Sequence, residues 1–419
     1  MSAPVLLDMT RAVGRRWRGR TASGIDRVCD AYAAHLGDRA HAVLQVRSAT
    51  LVLGEAASRD LFAVLDAPPP VFRREFARLL LAPSNPPHRQ RGASYLNVGH
   101  SGFDASAHWA WIARNGLTPI YLLHDLIPIT HPHVTTPRKT ARHRERVMRA
   151  LSGGAGLIAN SRATAHSLRT FAQAENLPIP PLLVAPIAGG LPSLERRRTA
   201  GSQPLFVSVG TIEKRKNHLL LLKVWRALID RMGEAAPRLV LAGDWGRGAG
   251  PFRETLRRDP QLARFVEIRS GLDDEAIAAL VAQAKAVLLP TLAEGFGMPL
   301  IEALALGVPV VASDLPSLRE IGQDIPLYID GDEPERWACA VAEFYNDGPE
   351  RQRQLTMMPQ FRAPSWASHF NAFDTWLAEL RSGARRPVAS GIAPPARGQH
   401  FAGNRPAMPR IDAGRKASC

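Results

Sequence analysis

The sequence predicts an α/β fold built from two Rossmann-like domains, each with a parallel sheet that carries helices on both faces. Short apolar runs alternate with helical patterns along most of the chain, which is the pattern that such sheets produce. The chain has 419 residues, whereas a single hydrophobic core rarely grows beyond roughly 250–300 residues. Polar or glycine-rich loops follow several predicted strands. Because open α/β sheets bind ligands beyond the carboxyl ends of their strands, these loops predict one cleft between the two domains.

The predicted strands form two groups along the chain. Those of the first half are residues 5–8, 42–46, 95–98, 120–123, 156–159 and 182–185. Those of the second half are residues 205–209, 238–242, 266–268, 286–289 and 308–312. Between the groups, and after the last predicted helix, the apolar period is lost.

These changes of composition predict the domain boundaries. The N-terminal domain is expected over residues 1–190, a Gly-, Pro- and Arg-rich linker over 191–203, and the C-terminal domain over 204–381. The last predicted helix, about 365–381, is a candidate to pack back on the N-terminal domain. Residues 382–419 form a basic tail with almost no large apolar side chains. Such a segment cannot bury enough surface to offset its chain entropy, so we expect the tail to be disordered.

The composition argues against several classes of protein. No apolar run reaches the roughly 20 residues needed to cross a bilayer, and the first residues lack the order of a signal peptide. The three cysteines are odd in number and far apart, which fits neither a disulfide framework nor a metal site. The net charge of +15 is not accompanied by a zinc-finger, RRM or helix-turn-helix signature, which argues against a nucleic-acid partner. We therefore predict a cytoplasmic protein.

The segment from Glu294 to Glu302, EGFGMPLIE, carries the strongest functional signal. Its two glycines let the backbone approach a ligand closely, and Pro299 suits the first position of a helix. The two carboxylates suit the hydroxyl donors of a sugar or a ribose. Free amide groups at the helix N-terminus would favour an anion such as a diphosphate. The amides expected to be free are those of Gly297, Met298 and Leu300.

A second signal follows the predicted strand at 205–209. The sequence GTIEKRKNH, residues 210–218, places Arg215 and Lys216 at a predicted helix start just after that strand. Arginine can hold phosphate oxygens bidentately, and lysine acts as a point charge. The pair therefore suits a departing diphosphate.

With these motifs, residues 204–331 resemble the donor domain of the family 4 retaining glycosyltransferases (glycosyl transferases group 1). EGFGMPLIE resembles the family's Glu-x7-Glu signature. GTIEKRKNH, GLDDE at 271–275 and ALGVPVVAS at 305–313 match in order and spacing. SGIDRV at 23–28 and HDLIP at 124–128 resemble the acceptor domain. The resemblance covers most of residues 4–375 and implies the GT-B fold, in which two Rossmann-like domains face an interdomain cleft.

The resemblance implies transfer of a sugar from a nucleoside diphosphate with retained anomeric configuration. Carried over residue by residue, Arg215 and Lys216 bind the diphosphate, and Gly24, in the first N-terminal loop, lets the backbone approach the phosphates. The sequence departs from some family members at Thr211, where they have an arginine, so the charge is left to Arg215. Lys214 replaces a proline that is usual at its position.

The resemblance also implies the residues around the transferred sugar. Glu294 and three backbone amides hold the sugar, Glu302 holds the ribose, and His124 lies beside the sugar at the reacting face. The three amides are those of Phe296, Gly297 and Met298. The candidate catalytic residues are therefore His124 and Glu294.

The expected chemistry is electrostatic. Cations and backbone amides stabilise the charge that grows on the leaving diphosphate opposite an oxocarbenium-like sugar. The resemblance implies no metal and no cofactor, and the only metal-like cluster, His131 and His133, is interpreted as loop histidines. Neither a Gly-x-Gly-x-x-Gly unit nor a Gly-Lys-Ser/Thr loop occurs, which argues against a dehydrogenase or an NTPase. Two alternatives stay open, a GT-B-fold nucleotide-sugar epimerase and a non-catalytic GT-B scaffold.

The acceptor is predicted only by class, as a glycan or lipid-linked glycan in the synthesis of a surface polysaccharide. A mannose- or rhamnose-type hexose is favoured as the transferred sugar. Asn160-Ser161 is predicted to cap the following helix, and His100 is a secondary candidate for the acceptor site.

An anionic membrane surface is a further expected partner, because basic residues with an interfacial aromatic side chain suit such a surface. This interpretation rests on two basic segments and predicts a peripheral protein at the inner face of the cytoplasmic membrane. The first is a basic loop with Arg11, Arg15, Arg16, Trp17, Arg18 and Arg20. The second is a helical face with Arg138, Arg142, Arg146 and Arg149.

Overall fold

The computed structural model describes residues 4–19, 23–46, 49–81, 91–192 and 203–383. The first sheet consists of β1 (Val5–Asp8), β2 (Ala40–Val46), β3 (Ala49–Val52), β4 (Ser94–Asn97), β5 (Thr118–Leu123), β6 (Gly156–Ala159) and β7 (Leu182–Val184). Their order across the sheet is β3-β2-β1-β4-β5-β6-β7. All neighbours pair in parallel except β2 and β3, which are antiparallel.

The second sheet consists of β8 (Leu205–Val209), β9 (Arg238–Ala242), β10 (Val266–Arg269), β11 (Ala286–Leu289), β12 (Val310–Ser313) and β13 (Leu327–Ile329). Their order is β10-β9-β8-β11-β12-β13, and every pair is parallel. In each sheet the strand order reverses direction next to the first strand of the domain. Such a reversal opens a crevice at the carboxyl ends of the strands, where ligands bind.

Helices cover the sheets. Those of the first domain are α1 (Thr10–Trp17), α2 (Gly24–Leu36), α3 (Glu55–Ala63), α4 (Pro69–Leu81), α5 (Ser106–Arg114), α6 (Ile127–Thr130), α7 (Pro137–Gly153) and α8 (Arg162–Ala174). Those that follow are α9 (His218–Met232), α10 (Gly250–Arg258), α11 (Pro260–Phe265), α12 (Asp274–Ala282), α13 (Met298–Ala305), α14 (Pro316–Gly322), α15 (Pro334–Tyr345), α16 (Pro349–Met357) and α17 (Trp366–Arg381). Within the described residues, none of the helices has the length and hydropathy of a membrane span.

Both faces of each sheet are buried, as expected for a doubly wound sheet. On β1, Leu7 packs into one hydrophobic cluster and its neighbour Leu6 into another on the opposite face. On β8, Val207 and Phe206 divide between two clusters in the same way. Side chains of a strand alternate between faces, so neighbouring residues can be buried together only where both faces are covered. The predicted GT-B architecture of two such domains is confirmed.

Helix α9 illustrates how the sequence positions the cleft. Its buried side chains include Leu221, Val224, Trp225 and Leu228, which follow the i, i+3, i+4, i+7 spacing of one helical face. Trp225 is fully buried and donates its indole N–H to the carbonyl oxygen of Pro237 at 2.7 Å. This packing fixes the N-terminus of α9, and therefore also the basic turn that precedes it.

Two strands were not expected from the sequence. β3 has four residues and is antiparallel, and β13 has three residues, so neither carries the apolar run of a central parallel strand. Both lie at sheet edges, where partial exposure weakens the hydrophobic pattern. Most of the predicted linker, residues 193–202, and the tail beyond 383 lie outside the described residues.

Helix α17 follows the C-terminal sheet in the chain but packs on the N-terminal domain. His369 and Tyr32 of α2 approach to 2.8 Å between Nε2 and the hydroxyl oxygen. At the other end of the helix, Arg381 Nε donates to the Ser94 hydroxyl on β4 at 3.0 Å. Phe373 is fully buried in the same contact and lies edge to face with Tyr32. The chain therefore crosses between the domains twice.

Candidate active site

A cavity of about 890 Å³ lies between the carboxyl ends of the two sheets. Its wall includes every residue predicted to be catalytic or donor-binding, although these residues come from both domains. From the N-terminal domain it receives Gly24 and His124, and from the C-terminal domain Arg215, Lys216, Glu294, Phe296, Gly297, Met298 and Glu302. The topology thus brings together side chains that are far apart in the sequence.

The turn after β11 positions Glu294. The Ser317 hydroxyl of α14 donates to the Glu294 carbonyl oxygen at 2.7 Å and anchors the backbone there. Gly297 then adopts a left-handed conformation with φ of +109°, which favours glycine, and α13 begins at the next residue. The Glu294 side chain is thereby held beside the N-terminus of a helix.

The N-terminus of α13 differs in detail from the expected one. Pro299 occupies the second helical position because Met298 is the first. The Leu300 amide was expected to be free, but it donates to the Gly297 carbonyl oxygen at 3.0 Å. The first turn is tight, as is common at helix termini, so the anion site predicted there loses the Leu300 amide.

Arg215 and Lys216 lie in a single 3₁₀ turn, residues 214–216, rather than at the start of α9 as predicted. Asn217 follows in a left-handed conformation and caps α9. The Arg215 carbonyl oxygen accepts hydrogen bonds from the Leu292 amide at 2.8 Å and from the Thr291 hydroxyl at 3.1 Å. These bonds tie the basic turn to the loop that carries Glu294.

Glu294 forms ion pairs with both basic residues. Its Oε2 lies 2.7 Å from Lys216 Nζ and 3.1 Å from Arg215 NH1. Burial alone would raise the pKa of Glu294, but Lys216 and Arg215 outweigh it and lower that pKa to about 2. Glu294 is therefore ionised at neutral pH, and two cations are concentrated at one point of the cavity.

Glu302 is buried, with only 5% of its side chain exposed. Its Oε1 accepts hydrogen bonds from Arg27 NH1 at 2.9 Å and from the Gly190 amide at 3.0 Å. Burial raises the pKa of Glu302, although the charge of Arg27 acts against this. The residue expected to hold the ribose is therefore contacted by the opposite domain.

His124 directly follows β5 and lines the cavity. Its Nε2 lies 2.8 Å from the Val98 carbonyl oxygen, so Nε2 carries the proton in the neutral ring. Burial lowers the pKa of His124 to about 4, so the ring is neutral at pH 7 and its Nδ1 is a hydrogen-bond acceptor. Within the part of the chain that the structure describes, no three His, Cys, Asp or Glu side chains are grouped as metal ligands.

The two domains contact each other directly beside His124. The Ser161 hydroxyl of the N-terminal domain donates to the Gly295 carbonyl oxygen at 2.9 Å and also accepts from the Thr164 amide. The predicted N-cap of α8 is thus confirmed, and it bridges the domains as well. A Cβ on Gly295 would collide with the His124 carbonyl oxygen, so only glycine permits this approach.

Gly24 is the first residue of α2 rather than a loop residue, because Ser23 caps the helix. A Cβ built on Gly24 would lie 2.7 Å from the terminal methyl group of Met298, which belongs to the opposite domain. The N-termini of α2 and α13 therefore approach each other closely at Gly24, and the approach to phosphates expected there stays a prediction.

The segment predicted as a basic loop is mostly helix α1, and three of its arginines pair with acidic side chains, whereas Arg18 donates to the Gly14 carbonyl oxygen. Arg11 and Arg15 lie one turn apart and both contact the buried Asp26, at 3.1 Å and 2.7 Å. Arg16 pairs with Asp30 at 2.7 Å. Arg11 and Arg15 line the cavity, which the sequence analysis missed. Their i, i+4 spacing next to the carboxyl end of β1 was the available signal. Arg20 lies outside the described residues.

The second predicted basic face also carries partners. On α7, Arg142 and Arg146 contact Asp104 at 3.4 Å and 2.8 Å, and Arg149 pairs with Glu145. Arg146 also donates to the His100 carbonyl oxygen at 3.0 Å. His100 is buried in a left-handed conformation with φ of +56°, and it does not line the cavity. Three of the four arginines therefore pair with acidic side chains of the same domain.

Comparisons with known proteins agree with this geometry. Residues 194–356 match the family model described as Glycosyl transferases group 1. Serotype-specific mannosyltransferase WbdA of Escherichia coli is 36% identical over 145 residues, which are 34% of this chain and 17% of that protein. A D-inositol 3-phosphate glycosyltransferase of Corynebacterium urealyticum is 25% identical over 300 residues, which are 66% of this chain and 70% of that protein.

Among solved structures, HepE of Anabaena in complex with UDP-glucose is similar, with a TM-score of 0.60 and 16% sequence identity. The match covers 90% of this chain and 99% of that one, which supports the GT-B fold for the chain as a whole. The chain spans only about a sixth of the length of WbdA, 17%. Together the likenesses support membership of the glycosyltransferase superfamily.

Proposed function

We propose that this chain is a retaining glycosyltransferase that moves a hexose from a nucleoside-diphosphate sugar to a glycan or lipid-linked glycan acceptor. The observation that carries the proposal is the cluster of Lys216, Arg215 and Glu294 beside the N-terminus of α13, in a cleft shared by two Rossmann-like domains. The cluster combines cations for a diphosphate with a carboxylate for sugar hydroxyls.

Lys216 and Arg215 would hold the diphosphate of the donor. Both are more than three-quarters buried, with 11% and 22% of their side chains exposed. Cations in a water-excluded site stabilise a growing negative charge far more strongly than cations in water. In this proposal the charge grows on the leaving diphosphate as the bond to the sugar breaks.

The proposed step is a displacement with retained configuration. The bond between C1 of the hexose and the leaving phosphate oxygen breaks, and an acceptor hydroxyl oxygen forms a bond to C1 on the same face of the ring. The acceptor proton goes to the leaving phosphate, so no protein carboxylate acts as a nucleophile. Glu294 would accept hydrogen bonds from sugar hydroxyls, and Glu302 from the ribose.

His124 would contribute as a neutral group. Because its Nε2–H is donated to Val98, its Nδ1 can accept a hydrogen bond from a sugar hydroxyl at the reacting face. A charged imidazolium is not needed, and burial disfavours it at neutral pH. His124 would therefore orient the sugar without exchanging a proton.

A mannose- or rhamnose-type hexose is favoured, and the similarity to WbdA, which is named as a mannosyltransferase, supports this choice. The complex of HepE with UDP-glucose supports a nucleoside-diphosphate hexose as a ligand of this fold. Surface polysaccharide synthesis is proposed as the context because WbdA is named serotype-specific. We propose no metal and no cofactor.

Contact with an anionic membrane surface, part of the same proposal, is assigned to α4 together with Trp17 of the first predicted basic segment. Trp17, Leu80 and Leu81, which are 46%, 49% and 86% exposed, lie beside or on this helix. Trp17 packs edge to face on Phe76, with ring centroids 6.0 Å apart. The basic residues on α4 are Arg73, Arg74 and Arg78, of which Arg74 and Arg78 contact Glu75 at 2.9 Å and 3.0 Å. Exposed apolar side chains among arginines suit the interface of an anionic bilayer.

The decisive experiment begins with a thermal-shift screen against GDP, UDP, dTDP and ADP. A ligand at 100 times its Kd stabilises the folded state by about 2.7 kcal/mol, so one nucleotide should raise Tm clearly. The matching sugar nucleotide is then incubated with and without a glycan acceptor, and the product is analysed by NMR. An α-linked product from an α-donor supports retention. Turnover of the donor without acceptor and with epimerised sugar would point to an epimerase instead, and binding of none of the nucleotides would point to a scaffold.

A further inference from the structure

Arg27 connects the N-terminal domain to two carboxylates of the C-terminal domain. It lies in the first turns of α2, and its NH1 contacts Glu302 Oε1 at 2.9 Å. Its NH2 donates to Asp274 at the start of α12. The partners are separated from Arg27 by 275 and 247 residues of sequence. One guanidinium therefore bridges two elements of the opposite domain.

The two carboxylates differ in their surroundings. The Glu302 side chain is 5% exposed, whereas that of Asp274 is 46% exposed. An exposed ion pair contributes little, but a buried carboxylate without its cation is costly. The contact with Glu302 is therefore the one that matters for the cleft.

Both described hydrogen bonds to Glu302 go to the same oxygen. Arg27 NH1 and the Gly190 amide donate to Oε1. Two fixed donors on one oxygen set the plane of the carboxylate and leave Oε2 as the acceptor for a ligand hydroxyl. A Cβ on Gly190 would lie 2.9 Å from Arg27 Cδ, so this close arrangement also depends on a glycine.

The position of Arg27 leaves one of its hydrogen-bond donors unsatisfied. Its Nε is buried and makes no hydrogen bond to any residue that the structure describes. Buried donors are nearly always satisfied, so an exception at a cleft calls for an explanation other than stability. Orientation of Glu302 supplies that explanation.

We propose that Arg27 is a positioning residue, which acts across the cleft on the Glu302 carboxylate and makes nucleotide affinity depend on closure of the two domains. The inference rests on the proposed function, because it assumes that Glu302 receives the ribose of a nucleoside diphosphate. When the domains separate, Arg27 leaves with the N-terminal domain, and Glu302 loses its charge partner. Closure and ribose recognition are thereby coupled through one side chain.

The test is a double-mutant cycle on nucleotide affinity. The Kd of the nucleoside diphosphate selected by the thermal-shift screen is measured by calorimetry for wild type, R27M, E302Q and R27M/E302Q. R27M should weaken binding by about 10-fold, a typical coupling between two sites. In the E302Q background the same change should cost less than about twofold, because residues that act through one another are not additive.

The pH dependence of nucleotide affinity distinguishes positioning of Glu302 from a purely structural role of Arg27, which would not change that dependence. Burial raises the pKa of Glu302 and Arg27 opposes this shift, so R27M should raise that pKa further. Protonation would then weaken the carboxylate as an acceptor as the pH falls. As the pH is lowered, R27M should lose affinity more steeply than R27M/E302Q, in which residue 302 does not titrate.

Two further variants control for folding. R27K keeps a charge but cannot reach both acids, so it should bind with intermediate affinity. R59M removes an arginine that also bridges two acids, Asp38 and Glu55, but lies on the surface away from the cleft. It should bind as wild type does.

Additive losses in the cycle, or unchanged affinity in R27M, would overturn the role of Arg27 and leave the proposed function intact. If the wild-type protein binds none of the four nucleotides, the proposed function fails and the role of Arg27 fails with it.

Discussion

Lys216 Nζ lies 2.7 Å from Glu294 Oε2, in a cleft where both side chains are at least 85% buried. Arg215 contacts the same oxygen at 3.1 Å. A diphosphate would be recognised through these same cations, so Glu294 and the diphosphate compete for them. Under the proposed function, the pair would therefore stabilise the fold and also weaken the binding of a diphosphate.

Replacement of Lys216 by methionine should lower kcat/KM by about 100-fold or more, the scale of one lost electrostatic contact to a transition state. Methionine preserves the aliphatic packing of a side chain that is almost buried. K223M, at an exposed lysine on α9, is the matched control and should transfer sugar at the wild-type rate. Steady-state kinetics with the sugar nucleotide would measure both, and near-normal activity of K216M would exclude its role at the diphosphate.

Glu294→Gln should separate sugar transfer from nucleotide binding. An amide offers one acceptor oxygen instead of two, so transfer should fall sharply. The bare nucleoside diphosphate should bind equally well or severalfold more tightly, because its competitor for Lys216 has lost its charge. Glu302→Gln should instead weaken the bare nucleotide, since the ribose is present there too. Weaker nucleotide binding by E294Q would show that Glu294 serves the nucleotide itself.

The ion pair predicts how stability responds to acid. The pKa of Glu294 is lowered from 4.5 to about 2, so its ionised form contributes stability above pH 4.5 that is lost as the pH falls toward 2. Between pH 6 and pH 3.5 this loss amounts to about 1 kcal/mol. Urea unfolding should therefore show a steeper decrease in the free energy of unfolding for wild type than for E294Q over that range. Parallel curves would mean that the pair does not form in solution.

Gly295→Ala should block the approach of the two domains. Its Cβ would meet the His124 carbonyl oxygen, which is backbone and cannot move aside cheaply. Displacing reacting groups by about 1 Å can cost about 100-fold in rate, so kcat should fall by that order while Tm changes little. Gly250→Ala is the control, because a Cβ there meets nothing within 4 Å. Equal kcat values for the two variants would contradict the close approach.

Membrane contact through α4 can be tested with anionic vesicles. A variant with Leu80→Ser and Leu81→Ser should sediment with the vesicles much less than wild type, because it loses the exposed apolar side chains that would enter the interface. A variant with Arg142→Gln and Arg149→Gln should sediment almost like wild type, because it keeps the exposed side chains of Leu80 and Leu81. If the α7 variant instead lost more vesicle binding than the α4 variant, the membrane contact would lie on α7.

The sequence sufficed for features that depend on local pattern. The strand after which Lys216 lies, the turn at Gly297 and the cap at Ser161 each follow from residues close together in the chain. Contacts between distant segments could not be read in this way. Arg27 meets Glu302 and Asp274 only because the fold brings together residues 275 and 247 positions apart. The same reason explains why the sequence predicted surface charge at Arg11 and Arg15, since they meet their partner Asp26 only when α1 and α2 pack together.

The return of α17 to the first domain restricts how the molecule can move. A pair of domains joined by one strand of chain can twist and tumble independently, whereas here the polypeptide passes between them at two places. Two connections restrain relative twisting of the domains, so we expect the cleft to open by a hinge motion about the line that joins the crossings. The contacts of Tyr32 with His369 and of Ser94 with Arg381 hold α17, which follows the second crossing, on the N-terminal domain. We therefore expect every opening of the cleft to follow nearly the same path, so that the groups on its two walls return to the same contacts when it closes.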